Sequence, residues 1–154
     1  MSTAVRVAEF HSAFGHPVRS EPQIISSQQE ALLTFKLILE ELQELGDALF
    51  DGSVRLVMDV DDDGLKYNPD LVAVADAVGD LDVVVNGAGL RHGFDMERLG
   101  GVIHKSNMSK LGADGRPIYS RGMELDGKPE GKIMKGPGFV EPDIAGALAE
   151  MRSA

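Results

Sequence analysis

One stretch limits this chain more than any other. Ser26 or Ser27 can cap a helix, Glu30 completes a capping-box pattern, and no Gly or Pro intervenes before Gly46. The spacing predicts a helix running to about residue 50. Leu32, Phe35, Leu39, Leu42 and Leu49 give it a near-heptad apolar seam, which Ala31, Ile38 and Leu45 widen. A helix with so broad an apolar face must be covered by other parts of the fold. The same helix carries Glu40, Glu41 and Glu44. At 3.6 residues per turn these three side chains share one side, where like charges repel by a few tenths of a kcal/mol per pair, roughly. One turn earlier on that side stand Leu37 and Leu33, so it is not wholly polar. Either water or a cation must offset the repulsion.

A second long helix is expected from Asp70 to about Arg91, with Asn68 or Asp70 as its cap and Pro69 near its first turn. Asp76 and Asp80 lie four apart on it, among Ala73, Ala77, Val83 and Val84. There is no Lys or Arg in this helix before Arg91, and Lys36 is the only cation in the first. Carboxylates that look inward cost several kcal/mol unless paired or bound to metal, to order of magnitude. A hard divalent ion with oxygen ligands, Mg²⁺ or Mn²⁺, is the economical answer, and five acids leave room for two. The competing account is an acidic helix face in water.

Shorter elements surround these two. A helix is expected over residues 3–14, ended by Gly15 and Pro17, and another from Met96 to about Leu111, capped by Asp95. A last one is expected from Glu141 to Arg152. Residues 51–69 read as a connector whose apolar Val54–Val60 piece suits helix or strand equally. It includes Asp59, Asp61, Asp63 and Gly64, the opening of a calcium loop with Asp70 at the twelfth place. An acidic solvated loop explains it better. Residues 112–138 are rich in Gly and Pro and carry Arg116, Arg121, Lys128, Lys132 and Lys135. They read as a flexible basic arm or loose hairpin, with a short β-like patch at Ile118 and Tyr119. The whole reads as one all-α domain, residues 1–154.

The formal charge of −10 disfavours nucleic acid or an anionic membrane as partner. The sequence has no cysteine, so thiolate metal sites are excluded. No apolar run has the length of a membrane span or a signal peptide, which makes a cytoplasmic protein the expectation. An anionic substrate would need metal or a local basic patch. Lys105, Asn107 and Lys110 near the end of one helix, followed by the basic arm, suit a phosphate chain.

Glu-Glu-x-x-Glu on one helix and an acidic pair on the next resemble the all-α nucleoside triphosphate pyrophosphohydrolases of the MazG-like superfamily. The resemblance extends to Phe10-His-Ser-Ala-Phe-Gly-His-Pro17, Gly93-Phe-Asp95, Val102-Ile-His-Lys-Ser-Asn-Met-Ser-Lys110, Asp114-Gly-Arg-Pro-Ile-Tyr119 and Lys135-Gly-Pro-Gly-Phe139. It points to the branch of MazG-like dUTP diphosphatases. It implies a helical bundle completed by dimerisation or higher assembly, two or more Mg²⁺ ions held by the acids, and hydrolysis of a nucleoside triphosphate, dUTP by this branch, to monophosphate and pyrophosphate. Carried over by position, Glu41 and Glu44 match the first metal pair. Glu40 matches an extra glutamate that binds metal or orients water, and Asp80 matches the second-helix aspartate. The family pattern has Glu three residues before that aspartate. Here Ala77 stands there and Asp76 one residue further back. Asp76 can substitute; the alternative is a weak or inactive nucleotide-binding protein on the same fold. Lys105, Asn107 and Lys110 are assigned to nucleotide or phosphate, with Arg116, Tyr119, Lys132 and Lys135 closing from the arm.

Overall fold

The long helix forms as its sequence demands. In the computed structural model, which describes residues 1–60 and 64–153, α2 spans Gln28–Phe50, and the Ser27 side chain accepts the Glu30 N–H at 3.2 Å. It stops at Asp51, which takes a left-handed conformation (φ 52) that Asp tolerates better than most residues. α1 spans Thr3–Ala13, α3 Leu71–His92, α4 Met96–Met108, α5 Met123–Asp126 and α6 Ile144–Ser153. Asp70 caps α3 by accepting the Val72 N–H at 2.8 Å, and Asp95 caps α4 by accepting the Arg98 N–H at 3.0 Å. Among the described residues there is no strand, only an isolated antiparallel bridge between Tyr119 and Ile133. The protein is all-helical.

Two boundaries differ from expectation for local reasons. α4 ends three residues early because the Ser109 hydroxyl turns back onto the Ser106 carbonyl at 2.6 Å, ending the ladder. α6 starts at Ile144 rather than near Glu141 because Pro142 disfavours the helical conformation at the residue before it, and Asp143 supplies the cap instead. The Asp143 carboxylate there accepts the Gly146 N–H at 2.8 Å, as an N-cap does. The four-residue α5 has too short a pattern to be read from sequence.

The chain divides into two compact units, Glu21–Val78 and the combination of Met1–Ser20 with Gly79–Ala154. In the second of these, α4 packs against α1 and α6. Gly100 and Gly101 weaken α4 by about 1 kcal/mol each relative to Ala, and their reason is Arg6. Its guanidinium lies over them, 3.1 Å from where a Gly100 Cβ would sit, with Nη1 3.3 Å from Glu97 Oε2. Glu9 meets His104 at 3.1 Å, and Arg98 of α4 pairs with Glu150 of α6. Phe14, 1% exposed, is the most buried side chain of this unit's core.

In Glu21–Val78 the described residues of the connector, 51–60 and 64–69, form neither helix nor strand. They return along α2, and side chains hold them there. The Gln43 amide donates to the Val54 carbonyl at 2.8 Å and accepts the Leu56 N–H at 2.7 Å, mimicking a β-ladder partner. Gln28 donates to the Leu65 carbonyl at 3.0 Å, and the Tyr67 hydroxyl donates to the Ile25 carbonyl. Leu32, Phe35 and Leu39 thereby line an open groove of about 510 Å³ together with Val57, Met58 and Leu65. Asp61 and Asp63, on which the calcium reading depends, lie outside the described residues.

Candidate active site

At 100° per residue, Leu32, Phe35 and Leu39 centre on the side of α2 opposite Glu40, Glu41 and Glu44. The clamped connector runs along the first side, where it half-buries Leu32 and Leu39 while Phe35 stays 56% exposed, and does not run along the second. All three glutamates are exposed, as are Leu33 and Leu37 beside them, at 57% and 52%. Asp76 and Asp80 are four apart on α3 and exposed too, Asp76 in one unit and Asp80 in the other. Water reaches all five acids, so desolvation within a single chain does not by itself call for a cation. Among the described residues no three Asp, Glu or His gather closely enough to hold a metal ion. The donor set is nonetheless all carboxylate oxygen, the chemistry that suits Mg²⁺ and Mn²⁺.

The basic candidates divide into two groups. Lys110 donates to Asn107 Oδ1 at 2.7 Å, so these two meet at the end of α4. Lys105 precedes Asn107 by two residues, a 200° turn of the helix, and faces elsewhere. It lines a cleft of about 290 Å³ toward α6, with Arg98, Ser106, Glu141 and Glu150.

The end of the arm wraps the Asn107–Lys110 corner. Gly136 N–H donates to the Lys110 carbonyl at 3.0 Å, and Val140 N–H donates to Ser109 Oγ at 2.9 Å. Lys135 arrives beside this corner with Nζ 2.7 Å from Glu141 Oε1 and 4.2 Å above the Phe139 ring. Only glycine fits at position 136, since a Cβ there would stand 2.2 Å from the Leu111 carbonyl oxygen.

The rest of the arm is a tied hairpin. Ser120, 3% exposed, is its hub: its N–H donates to the Lys132 carbonyl at 2.8 Å and its hydroxyl to the Lys128 carbonyl at 2.9 Å. The Tyr119 hydroxyl donates to the Phe14 carbonyl, anchoring the hairpin on the end of α1. Arg116 takes part through its backbone, its N–H bonded to Asp114 Oδ1 at 3.0 Å. Arg121 pairs side-on with Asp126 at 2.8 and 3.1 Å. That guanidinium holds the Asp126 carboxyl at about 2, well below its ordinary 3.8, and the pairing raises Arg121 in turn. Sequence reading missed Gln43, Ser120 and Gly136. Gln43 and Ser120 act through backbone partners far along the chain and leave no local trace. Gly136 sits in a Gly-Pro-Gly run that read as part of a loose arm, not as a close approach.

The all-helical chain, with its Glu-Glu-x-x-Glu helix and second acidic helix, has the MazG-like fold of the NTP pyrophosphohydrolases. The model of the family described as phosphoribosyl-ATP pyrophosphohydrolase matches residues 7–107, and the chain belongs to that family. A crystal structure at 1.78 Å resolution, of a protein from Exiguobacterium sp. 255-15 proposed to be an NTP pyrophosphohydrolase, shares the fold. Its TM-score is 0.61 at 22% identity, over 99% of this chain and 98% of that one. No curated protein sequence matches the chain.

Proposed function

We propose that this protein is a metal-dependent hydrolase of nucleoside triphosphates, with dUTP as the preferred substrate, yielding the monophosphate and pyrophosphate. The observation that carries the reading is the open acid-bearing side of α2 in a chain of this family. The dUTP preference rests on the resemblance of the Lys135-Gly-Pro-Gly-Phe139 and Ser106-Asn-Met-Ser-Lys110 stretches to the dUTP diphosphatase branch.

Glu41 and Glu44, with Glu40, Asp76 and Asp80, would hold two or more Mg²⁺ or Mn²⁺ ions. Bound there, such ions neutralise phosphate charge and acidify a coordinated water. Glu40 or Glu41 orients the attacking water and accepts its proton. Water adds to one phosphorus, the bridging oxygen leaves with pyrophosphate or monophosphate, and Asn107 and Lys110 steady the phosphate chain. Lys105, Lys132 and Lys135, with Arg116 and Tyr119 shaping the arm, complete the cationic side. Lys135 exchanges Glu141 for phosphate in this scheme. Leu33 and Leu37, left bare beside the acids, are covered by a second copy of the chain, so the working form is a dimer or larger. Acting on free nucleotides, it would work in the cytoplasm.

The test is pyrophosphate release from a panel of dNTPs, NTPs and phosphoribosyl-ATP with Mg²⁺ or Mn²⁺. We expect metal-dependent turnover, fastest on dUTP, and a fall of about a hundredfold or more in Glu41→Ala and Glu44→Ala. Fastest turnover of phosphoribosyl-ATP would overturn the substrate assignment alone. Ala77 favours a second reading, a nucleotide-binding protein without turnover, because α3 then offers no ligand three residues before Asp80. Nucleotide binding with no turnover across the panel would establish it.

A further inference from the structure

The end of α1 brings two imidazoles together, apart from the acids. His11 and His16 have ring centroids 5.2 Å apart, with ring planes inclined at 53°. Metal–nitrogen bonds of about 2.0–2.1 Å put the centroids of two imidazoles on one tetrahedral ion about 5 Å apart. His11 Nδ1 lies 3.3 Å from the Pro17 carbonyl oxygen. A proton donated in that bond leaves the lone pair on Nε2, the arrangement found in metal-binding histidines. Among the described residues neither His11 Nε2 nor the His16 ring makes a hydrogen bond, so their lone pairs remain available.

The scaffold beneath them is built rather than loose. His16 N–H donates to the His11 carbonyl at 2.8 Å, and Gly15 turns the chain in a left-handed conformation (φ 65). Phe10 lies against both His11 and His16, and Phe14 below it is buried. Tyr119 fixes the Phe14 carbonyl from the hairpin.

We propose that His11 and His16 form a two-imidazole site for a divalent transition-metal ion, zinc, nickel or copper(II), with water completing its coordination. Two side chains suffice for a weak site, which is why it stands apart from any cluster of three. The proposal does not depend on the pyrophosphohydrolase reading. The chain would then sort ions by ligand chemistry: hard Mg²⁺ or Mn²⁺ at carboxylates, borderline ions at imidazoles.

Zinc chloride titrated into the full chain at pH 7.5 tests this, with millimolar Mg²⁺ present to occupy the carboxylates. The readouts are competition with a zinc dye and long-range ¹H–¹⁵N spectra of the imidazoles. We expect one equivalent bound at micromolar affinity, weakened about tenfold or more by His11→Gln or His16→Gln and unaffected by Glu41→Ala. Zinc should shift the ring nitrogens of His11 and His16 and leave those of His92 and His104 in place. Unchanged affinity in the double His variant, or unmoved His11 and His16 rings in the unmutated protein, overturns the site even if turnover is intact.

Discussion

Gly136 shows how much one missing side chain can matter. Its backbone rests on the Lys110 and Leu111 carbonyls, and a methyl group there has no flexible neighbour to push aside, only peptide oxygen. Gly136→Ala should destabilise the protein by about 1–3 kcal/mol and raise KM for nucleotide more than it lowers kcat. Thermal melts and steady-state kinetics on the same preparation would check both. Asp126 gives a prediction about pH. Its folded pKa of about 2 lies below the unfolded value of 3.8, so the unfolded chain binds the extra proton between them. Its contribution is therefore complete above about pH 4 and lost as pH falls toward 2. A ¹³C carboxyl titration should show Asp126 ionising near 2, and Arg121→Gln should return it toward the ordinary range.

Among the elements, α2 owes its orientation to a side chain that hydropathy ignores. Gln43 sits inside the acidic motif and reads as one more polar residue, yet its amide binds both Val54 and Leu56 of the returning connector. It decides which face of α2 is covered, and so which is left to the glutamates. Gln43→Leu leaves two backbone groups without their partner and should cost about 1–3 kcal/mol. Urea unfolding would measure the loss, and amide exchange should quicken at Leu56 before it does in α4. A Gln43→Glu variant keeps the acceptor but loses the donor, and should fall between the two.

The whole molecule is divided in charge. Of the 25 Asp and Glu and 15 Lys and Arg, thirteen acids but only three cations, Lys36, Arg55 and Lys66, fall in Glu21–Val78. The remainder is balanced, so the net −10 belongs to the unit that carries the glutamates. Divalent ions that bind the folded acids should stabilise the protein by mass action. Millimolar Mg²⁺ should raise Tm by a few degrees, and Glu41→Ala should abolish the rise, where an equal ionic strength of NaCl changes little. The apolar side chains left bare on α2 and α3, among them Leu33, Leu37, Val72 and Leu90, predict a dimer or larger assembly. Light scattering at micromolar concentration should give at least twice the chain mass, and Leu37→Glu should halve it.

The long elements were legible in the sequence. Periodicity placed α2 and α3, and Ser27, Asp70 and Asp95 marked the helix starts, because capping and amphipathicity are local and act within one or two turns. That Glu40, Glu41 and Glu44 share one side of α2 follows from the same local spacing; of Lys105, Asn107 and Lys110, read together from sequence, the last two meet. Tertiary structure decided what depends on partners far along the chain: the return of residues 52–60 and 64–67 along α2, and the tying of Tyr119 to Phe14. Apolar β-branched residues such as Val54 to Val60 permit helix, strand or extended chain. Only the Gln43 amide across from them, supplied by another element, selects among the three.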